Sequence, residues 1–481
     1  MISAEEFRLE AHRLVDWIAD YYQKASDYPV KSQVNPGELL SQLPVSPPDY
    51  AESFSDVLAD VEQILMPGIT HWQSPRFFAY FPANASFPSL LGEMLTAALG
   101  AQCMKWETSP AATELEELVM RWLQQMTGLP DTFQGVIQDT ASTATLCAIL
   151  TARERATDYR VNQSGFRNQP VFRVYCSSEA HSSIDKAVRI SGIGHDNLVK
   201  IPVDDAFSMD TNALEEKIQH DLQHGYIPLC VVAALGTTGS TAVDPLNVIA
   251  GLCKEHHIWL HVDAAYAGSA LLLPEYRWMI KGIEAVDSFV FNPHKWLFTN
   301  FDCSAYFVKD RDALIKTFQL VPEYLRSQIH VNANDYSNWG IQLGRRFRAL
   351  KLWFVIRMFG VKGLQEKLRF HVSMAAEFER RLINTGNFEI LAPRLFSLLC
   401  FRYHPVGNLD EEQLDRLNEQ LLIALNATGR IYISHTRLKG RYTLRFMVAQ
   451  TNTAMEHVNE AWQLLLEKST ELYDTDKRIP R

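Results

Sequence analysis

Between residues 134 and 296 the chain alternates short apolar runs with amphipathic stretches, and that alternation leaves few folds open. The runs GVIQ (135–138), VFRVYC (171–176), LVKIPV (198–203), LCVVAALG (229–236), IWLHVDA (258–264) and SFVFN (288–292) read as strands. Helical spacing falls between several of them, at 142–159, 183–189, 211–220 and 245–256. Strands apolar on both faces and joined through helices predict a mainly parallel sheet covered on both sides, an α/β fold. Ligands of such sheets bind beyond the carboxyl ends of the strands.

The flanks have a different texture. Ser3 and Glu6 stand at capping-box spacing, and Phe7, Ala11, Leu14, Val15, Ile18 and Tyr22 follow at helical intervals. Prolines 36, 44, 47 and 48 interrupt, and a second helical segment spans 55–65. Residues 1–85 therefore read as a helical arm whose apolar stripes need another surface, and a second copy of the chain is the expected one. From about 344 a long helix is expected, then strands at FEILAP and SLLCFRYHP, a helix at 411–425, a strand pair about Lys439-Gly440 and a helix from about 453. The expected domains are 1–85, a large α/β domain at 86–360 and a small α+β domain at 361–481.

The 481 residues are ample for a buried core, and 46 basic against 56 acidic side chains give a net charge of -10. An acidic chain argues against nucleic acid as a partner, and the cluster Arg345, Arg346, Arg348 lacks an interleaved aromatic platform. Glu5 and Glu6 occupy positions where an export signal needs basic residues. The apolar runs stop after about ten residues, short of the ~20 that cross a bilayer. Seven cysteines, odd in number and without CxxC spacing, fit a reducing cytoplasm rather than a disulfide or zinc framework. His256-His257 closes a helix without an acidic partner, so no metal is expected.

Three segments place polar groups just after predicted strands: EAHSS (179–183), HVDAAYAG (261–268) and NPHKW (292–296). Taken singly, Lys295 is an ordinary surface lysine, Asp263 a strand-end cap and His181 a hydrogen-bonded histidine. Together they match the needs of pyridoxal phosphate (PLP). Its aldehyde takes an amine, its ring nitrogen a carboxylate, and its face a flat ring, which Lys295, Asp263 and His181 supply in that order. The turn Asp139-Thr140-Ala141-Ser142 into a helix offers backbone N–H groups for a phosphate. No GxGxxG is present, so a dinucleotide fingerprint is missing.

NPHKW, HVDAAYAGSA, AHSSIDKA, QDTASTATL and LGRRFRALKLWF resemble the motifs of the aromatic-L-amino-acid decarboxylases, group II PLP decarboxylases of the aspartate-aminotransferase-like fold. The resemblance runs from MISAEEF through MPGITHWQSPRFFAYFP to the C-terminal helix. It implies a PLP-dependent transferase fold with a seven-stranded central sheet and a homodimer with the active site at the subunit interface. It further implies decarboxylation of an aromatic L-amino acid to its amine. By the same resemblance Lys295 carries PLP, Asp263 pairs with its ring nitrogen and His181 stacks on the ring. Thr140, Ala141 and Ser142 receive the phosphate with help from Asn292 and His294, and Thr238 and Ala265 complete the cofactor contacts.

Trp72, Tyr80, Phe81, Pro82 and Ala83 match the family's substrate-lining segment, and Met104 and His181 belong to the same expected pocket. Met104 stands where many members carry an aromatic residue, Ala83 where several carry a hydroxyl, and Gly344 resembles the form with a roomy pocket. Residues 321–339 resemble the family's catalytic loop, in which Tyr324 matches the tyrosine that returns a proton to the substrate carbon. A phenylalanine there marks the aldehyde-forming branch, so Tyr324 favours the amine. The competing outcomes are decarboxylation of another amino acid such as histidine, oxidative deamination to an aldehyde, and PLP binding without turnover.

Overall fold

In a computed structural model that describes residues 2–320 and 333–476, the chain forms two compact units. Residues 83–370 and 392–396 make one, and residues 1–82, 371–391 and 397–481 the other. Strands are numbered β1–β12 in chain order.

The larger unit is built on a seven-stranded sheet. Its strand order is β2 (Gln134–Gln138), β8 (Ser304–Val308), β7 (Ser288–Phe291), β6 (Trp259–Asp263), β5 (Ile227–Ala234), β3 (Phe172–Ser177) and β4 (Leu198–Ile201). The pairs β7–β6, β6–β5, β5–β3 and β3–β4 are parallel, whereas β8 runs antiparallel to both β7 and β2. The six strands expected from the sequence are present, and β8 is the addition. Residues 292–303 hold one short helical turn (Pro293–Trp296), too little chain to cross a face of the sheet, so the chain returns antiparallel. Strands β6, β7 and β8 are buried along their whole length, as a sheet covered on both faces requires.

Helices Ala141–Ala156, Ser183–Ile190, Thr211–Gln223 and Leu246–Glu255 follow the strands as the spacing predicts. Two helices lie in a stretch where no element was expected, Phe87–Leu99 and Pro110–Thr127, and each ends on a left-handed glycine, Gly100 and Gly128. The expected long helix is Arg348–Thr385, broken at Gly360 by non-helical angles (φ 65, ψ 162).

The smaller unit carries the sheet β1 (Phe77–Phe78), β11 (Tyr432–Leu438), β12 (Arg441–Met447), β10 (Leu398–Tyr403) and β9 (Phe388–Ile390). The hairpin β11–β12 turns at Lys439 and Gly440, both with positive φ (48 and 82), the geometry a two-residue primed turn needs. The remaining pairs are antiparallel except β1, which joins β11 in parallel and so ties the N-terminal segment into the sheet. Phe446 stacks between Phe78 and Phe378, each centroid 4.2 Å away, at the centre of this core. The first helix, Ala4–Lys24, has the Ser3/Glu6 capping box and buries none of its residues.

Candidate active site

All the expected cofactor positions belong to the larger unit and collect at one edge of its sheet. Asp263 ends β6, Asn292 to Lys295 follow β7, His181 follows β3, Thr238 follows β5, and Thr140 to Ser142 are the N-cap and first residues of the helix after β2. These are the carboxyl ends of parallel strands.

Neighbours of Asp263 and Lys295 lock the two strand exits together. Tyr266 and Trp296, both fully buried, stack with centroids 4.7 Å apart and planes 13° from parallel. Asn292 N–H donates to the Ala265 carbonyl (3.0 Å), and Ala265 N–H donates to the Asp263 carboxylate (3.0 Å). Burial pushes the Lys295 ammonium below its usual range, and the Asp263 carboxylate works in the opposite sense. Burial likewise lowers the pKa of His181; the charge on Asp263 opposes this and that on Lys295 reinforces it. The three groups therefore share one electrostatic environment. His181 Nδ1 lies 2.8 Å from the Ser183 hydroxyl and accepts from Ser183 N–H (3.1 Å), which fixes the ring.

At the helix Ala141–Ala156, Thr140 is the N-cap, with its hydroxyl accepting from Thr143 N–H (3.4 Å). Asp139 accepts from Thr140 N–H (2.6 Å), and Ser142 is exposed. Asn292 and His294 are buried, and one side-chain atom of each is bonded within the protein. Asn292 Oδ1 accepts from the Ser304 hydroxyl (2.7 Å), and His294 Nδ1 accepts from Cys303 N–H (2.9 Å). Burial, with Lys295 close by, holds His294 down to about 3, so its ring is neutral. Asp244 pins the turn that carries Thr238, accepting from Ala234 N–H (2.7 Å) and Met209 N–H (2.8 Å).

The expected substrate residues fall into two groups. Ala83 and Met104 belong to the larger unit, and the Met104 carbonyl accepts from Ser337 N–H (2.9 Å). Trp72, Tyr80, Phe81 and Pro82 belong to the smaller one. There Trp72 stacks on Phe77 (4.4 Å) and Tyr80 (5.8 Å), and the Tyr80 hydroxyl meets that of Tyr432 at 3.1 Å. Arg445 lies over the Phe81 ring at 5.5 Å. Tyr324 lies outside the described residues. Sequence reasoning missed Asn84, whose side chain donates to the Lys295 carbonyl (2.5 Å), and Ser304, which holds Asn292. Neither position has a periodic or spacing signal that could have revealed it.

The donor set fits PLP: a partly desolvated amine, a carboxylate nearby, an imidazole and a helix N-terminus could hold the aldehyde, ring nitrogen, ring face and phosphate. Among the described residues no cluster of His, Cys, Asp or Glu could hold a metal ion. No helix among them is long and apolar enough to cross a membrane.

Comparison with known proteins agrees with this chemistry. The pyridoxal-dependent decarboxylase conserved domain matches residues 36–404. Tyrosine decarboxylase 2 of Narcissus pseudonarcissus is 44% identical over 98% of this chain and 95% of its own. Phenylacetaldehyde synthase of Arabidopsis thaliana is 43% identical over 98% and 97%. The crystal structure of Oryza sativa TDC with PLP and tryptamine superimposes with a TM-score of 0.95 at 38% identity, covering 98% of this chain and 99% of that one. An amine and a carboxylate at neighbouring strand exits, on a fold shared along the whole chain, make this protein a member of the pyridoxal-dependent decarboxylase family.

Proposed function

We propose that the protein decarboxylates an aromatic L-amino acid to its amine, with Lys295 as the covalent anchor of PLP. The observation that carries the reading is the placement of Lys295, Asp263 and His181 just after or at the ends of β7, β6 and β3, at one edge of the sheet. The aromatic substrate class is supported by relatives named for tyrosine and tryptophan.

Bound PLP supplies an electron sink for the pair of electrons left when carbon dioxide departs. The chain's residues do the rest. Lys295, partly desolvated, gives up its proton more readily than an exposed lysine and so offers a nucleophilic amine. Asp263 presents a negative charge to a protonated ring nitrogen. His181, disfavoured as a cation, offers a neutral flat face. Thr140, Ala141 and Ser142 receive the phosphate at the helix N-terminus, with Thr238, Ala265, Asn292 and His294 completing the seat. Ala83, Met104 and His181 of the larger unit serve the substrate side, the segment Trp72, Tyr80, Phe81 and Pro82 is a separate substrate-lining candidate, and Tyr324 returns the proton to the substrate carbon.

The working form is a homodimer in the cytoplasm. Leu91 (47% exposed), Leu95 (47%) and Leu99 (62%) on the helix Phe87–Leu99, and Phe7 (64%) on the first helix, offer apolar surface for a second copy. Seven buried free thiols fit a reducing compartment. Sedimentation as a monomer at micromolar concentration would overturn the dimer.

The test is a panel of amino acids assayed for carbon dioxide, amine, aldehyde and peroxide. Amine from tyrosine, dopa, tryptophan, 5-hydroxytryptophan or phenylalanine is expected. Aldehyde with peroxide as the main product, or turnover confined to a non-aromatic amino acid, would overturn the reading.

A further inference from the structure

The turn that carries Lys295 is held by a strip of polar side chains in residues 84–93, and Lys295 itself does not reveal it. Asn84 donates twice, from its backbone N–H to the His294 carbonyl (3.0 Å) and from Nδ2 to the Lys295 carbonyl (2.5 Å). The Ser86 hydroxyl donates to the Phe298 carbonyl at 2.7 Å. Ser89 Oγ accepts from Asn300 N–H (3.2 Å), and Glu93 accepts from the Asn300 side chain (3.3 Å). Asn84, Ser86 and Ser89 are 1%, 4% and 0% exposed, so their side chains are shielded from bulk water.

The strip meets a strained backbone. Phe298 is fully buried and has φ 54, a conformation an aromatic residue rarely adopts. Such residues persist only where their surroundings fix them, and the Ser86 hydroxyl accounts for the Phe298 carbonyl. The positions also follow one face of a helix. Ser86 caps Phe87–Leu99, and Ser89 and Glu93 follow at spacings of three and four. Glu93 is itself fixed by Lys351 (2.9 Å) and Arg346.

We propose that Asn84, Ser86, Ser89 and Glu93 are positioning residues that hold the 292–300 turn in the one conformation that aims Lys295. The proposal rests on the reading of Lys295 as the cofactor's anchor. A misplacement of about 1 Å at a reacting group costs about 100-fold in rate, which sets the scale of the expected effect.

The test uses full-length Ser86→Ala, Asn84→Ala and Ser86→Thr beside the unsubstituted protein. Without PLP, amide hydrogen exchange over 292–300 is expected to quicken about tenfold in the two alanine variants and to leave β5 unchanged. Loaded with PLP, they are expected to lose about 10- to 100-fold in kcat with KM within about twofold. Ser86→Thr, which keeps the hydroxyl, is expected to restore both. The two alanine variants are read independently, so unfolding of one leaves the other to decide. Exchange that quickens equally across the whole sheet, or kcat and exchange unchanged, overturns the proposal. Borohydride reduction and peptide mapping of the unsubstituted protein separate the premise: a label on another residue defeats the reading of Lys295, whereas a label on Lys295 with unaltered variants defeats only the strip.

Discussion

Arg345 and Glu116 meet at 2.6 Å inside the larger unit, and both also hold the backbone of Ile137 in β2. Glu116 accepts from Ile137 N–H (2.8 Å) and Arg345 donates to the Ile137 carbonyl (2.8 Å). The side chains are 7% and 3% exposed, so removing one charge strands the other in the interior. Arg345→Met is expected to cost about 3–5 kcal/mol, measured by urea denaturation. A loss below about 1 kcal/mol would mean that the pair is not isolated from water.

Trp296→Leu removes the ring stacked on Tyr266, next to Lys295 and three residues after Asp263. Replacing so large a buried ring by a smaller side chain is expected to destabilise by about 2–4 kcal/mol and to weaken PLP retention. Equilibrium dialysis and thermal melts check the two effects. Unchanged retention would show that the stack is not what keeps the strand exits in register.

Lys295→Ala is expected to stay folded and to lose the absorption of the lysine-linked cofactor. Borohydride should then leave no label on the 292–296 peptide. A spectrum identical to that of the unsubstituted protein would refute the role of Lys295.

Tyr324→Phe is expected to bind substrate with KM within a few-fold while product shifts from amine towards aldehyde, with peroxide formed alongside. Chromatography of both products decides. Unaltered amine output would remove Tyr324 from the reaction.

His261 is buried between the Ser288 hydroxyl (2.9 Å) and the Thr145 hydroxyl (3.2 Å), and burial holds its pKa down to about 4. Its folded pKa lies below the unfolded value near 6.5, so the unfolded chain takes up the proton first. The stability tied to the neutral ring is therefore complete above about pH 6.5. It falls by about 1.4 kcal/mol per unit as pH drops from there to about 4. His261→Gln is expected to flatten this acid limb in denaturant titrations of the protein without PLP, and parallel curves for the two proteins would refute the assignment.

Much of the sheet was legible because parallel strands buried on both faces read as continuous apolar runs, as in LCVVAALG and SFVFN. β8 escaped because its neighbours are decided by the shortness of the connection after Phe291, a property of chain length rather than of residue type. The chemistry of Lys295, Asp263 and His181 was legible from cofactor need, and their roles remain proposals that the variants above test. Asn84 and Ser86 were not legible, because a side chain bonded to a carbonyl some two hundred residues away leaves no local pattern. The basic run Arg345, Arg346, Arg348 was set aside as a nucleic-acid site, but its partners could not be read from the sequence: the three form ion pairs with Glu116, Glu93 and Asp302.

The antiparallel β8 has a bearing on how the chain is made. Among the described residues β2 has no sheet neighbour but β8, so while a ribosome adds the residues between them, GVIQ waits as an unclaimed sticky edge. At ~5–20 residues per second that wait lasts on the order of ten to thirty seconds. A nascent chain of this kind is a natural client for chaperones, and the Asp139-Thr140 turn after β2 takes its final shape only near the end of that interval.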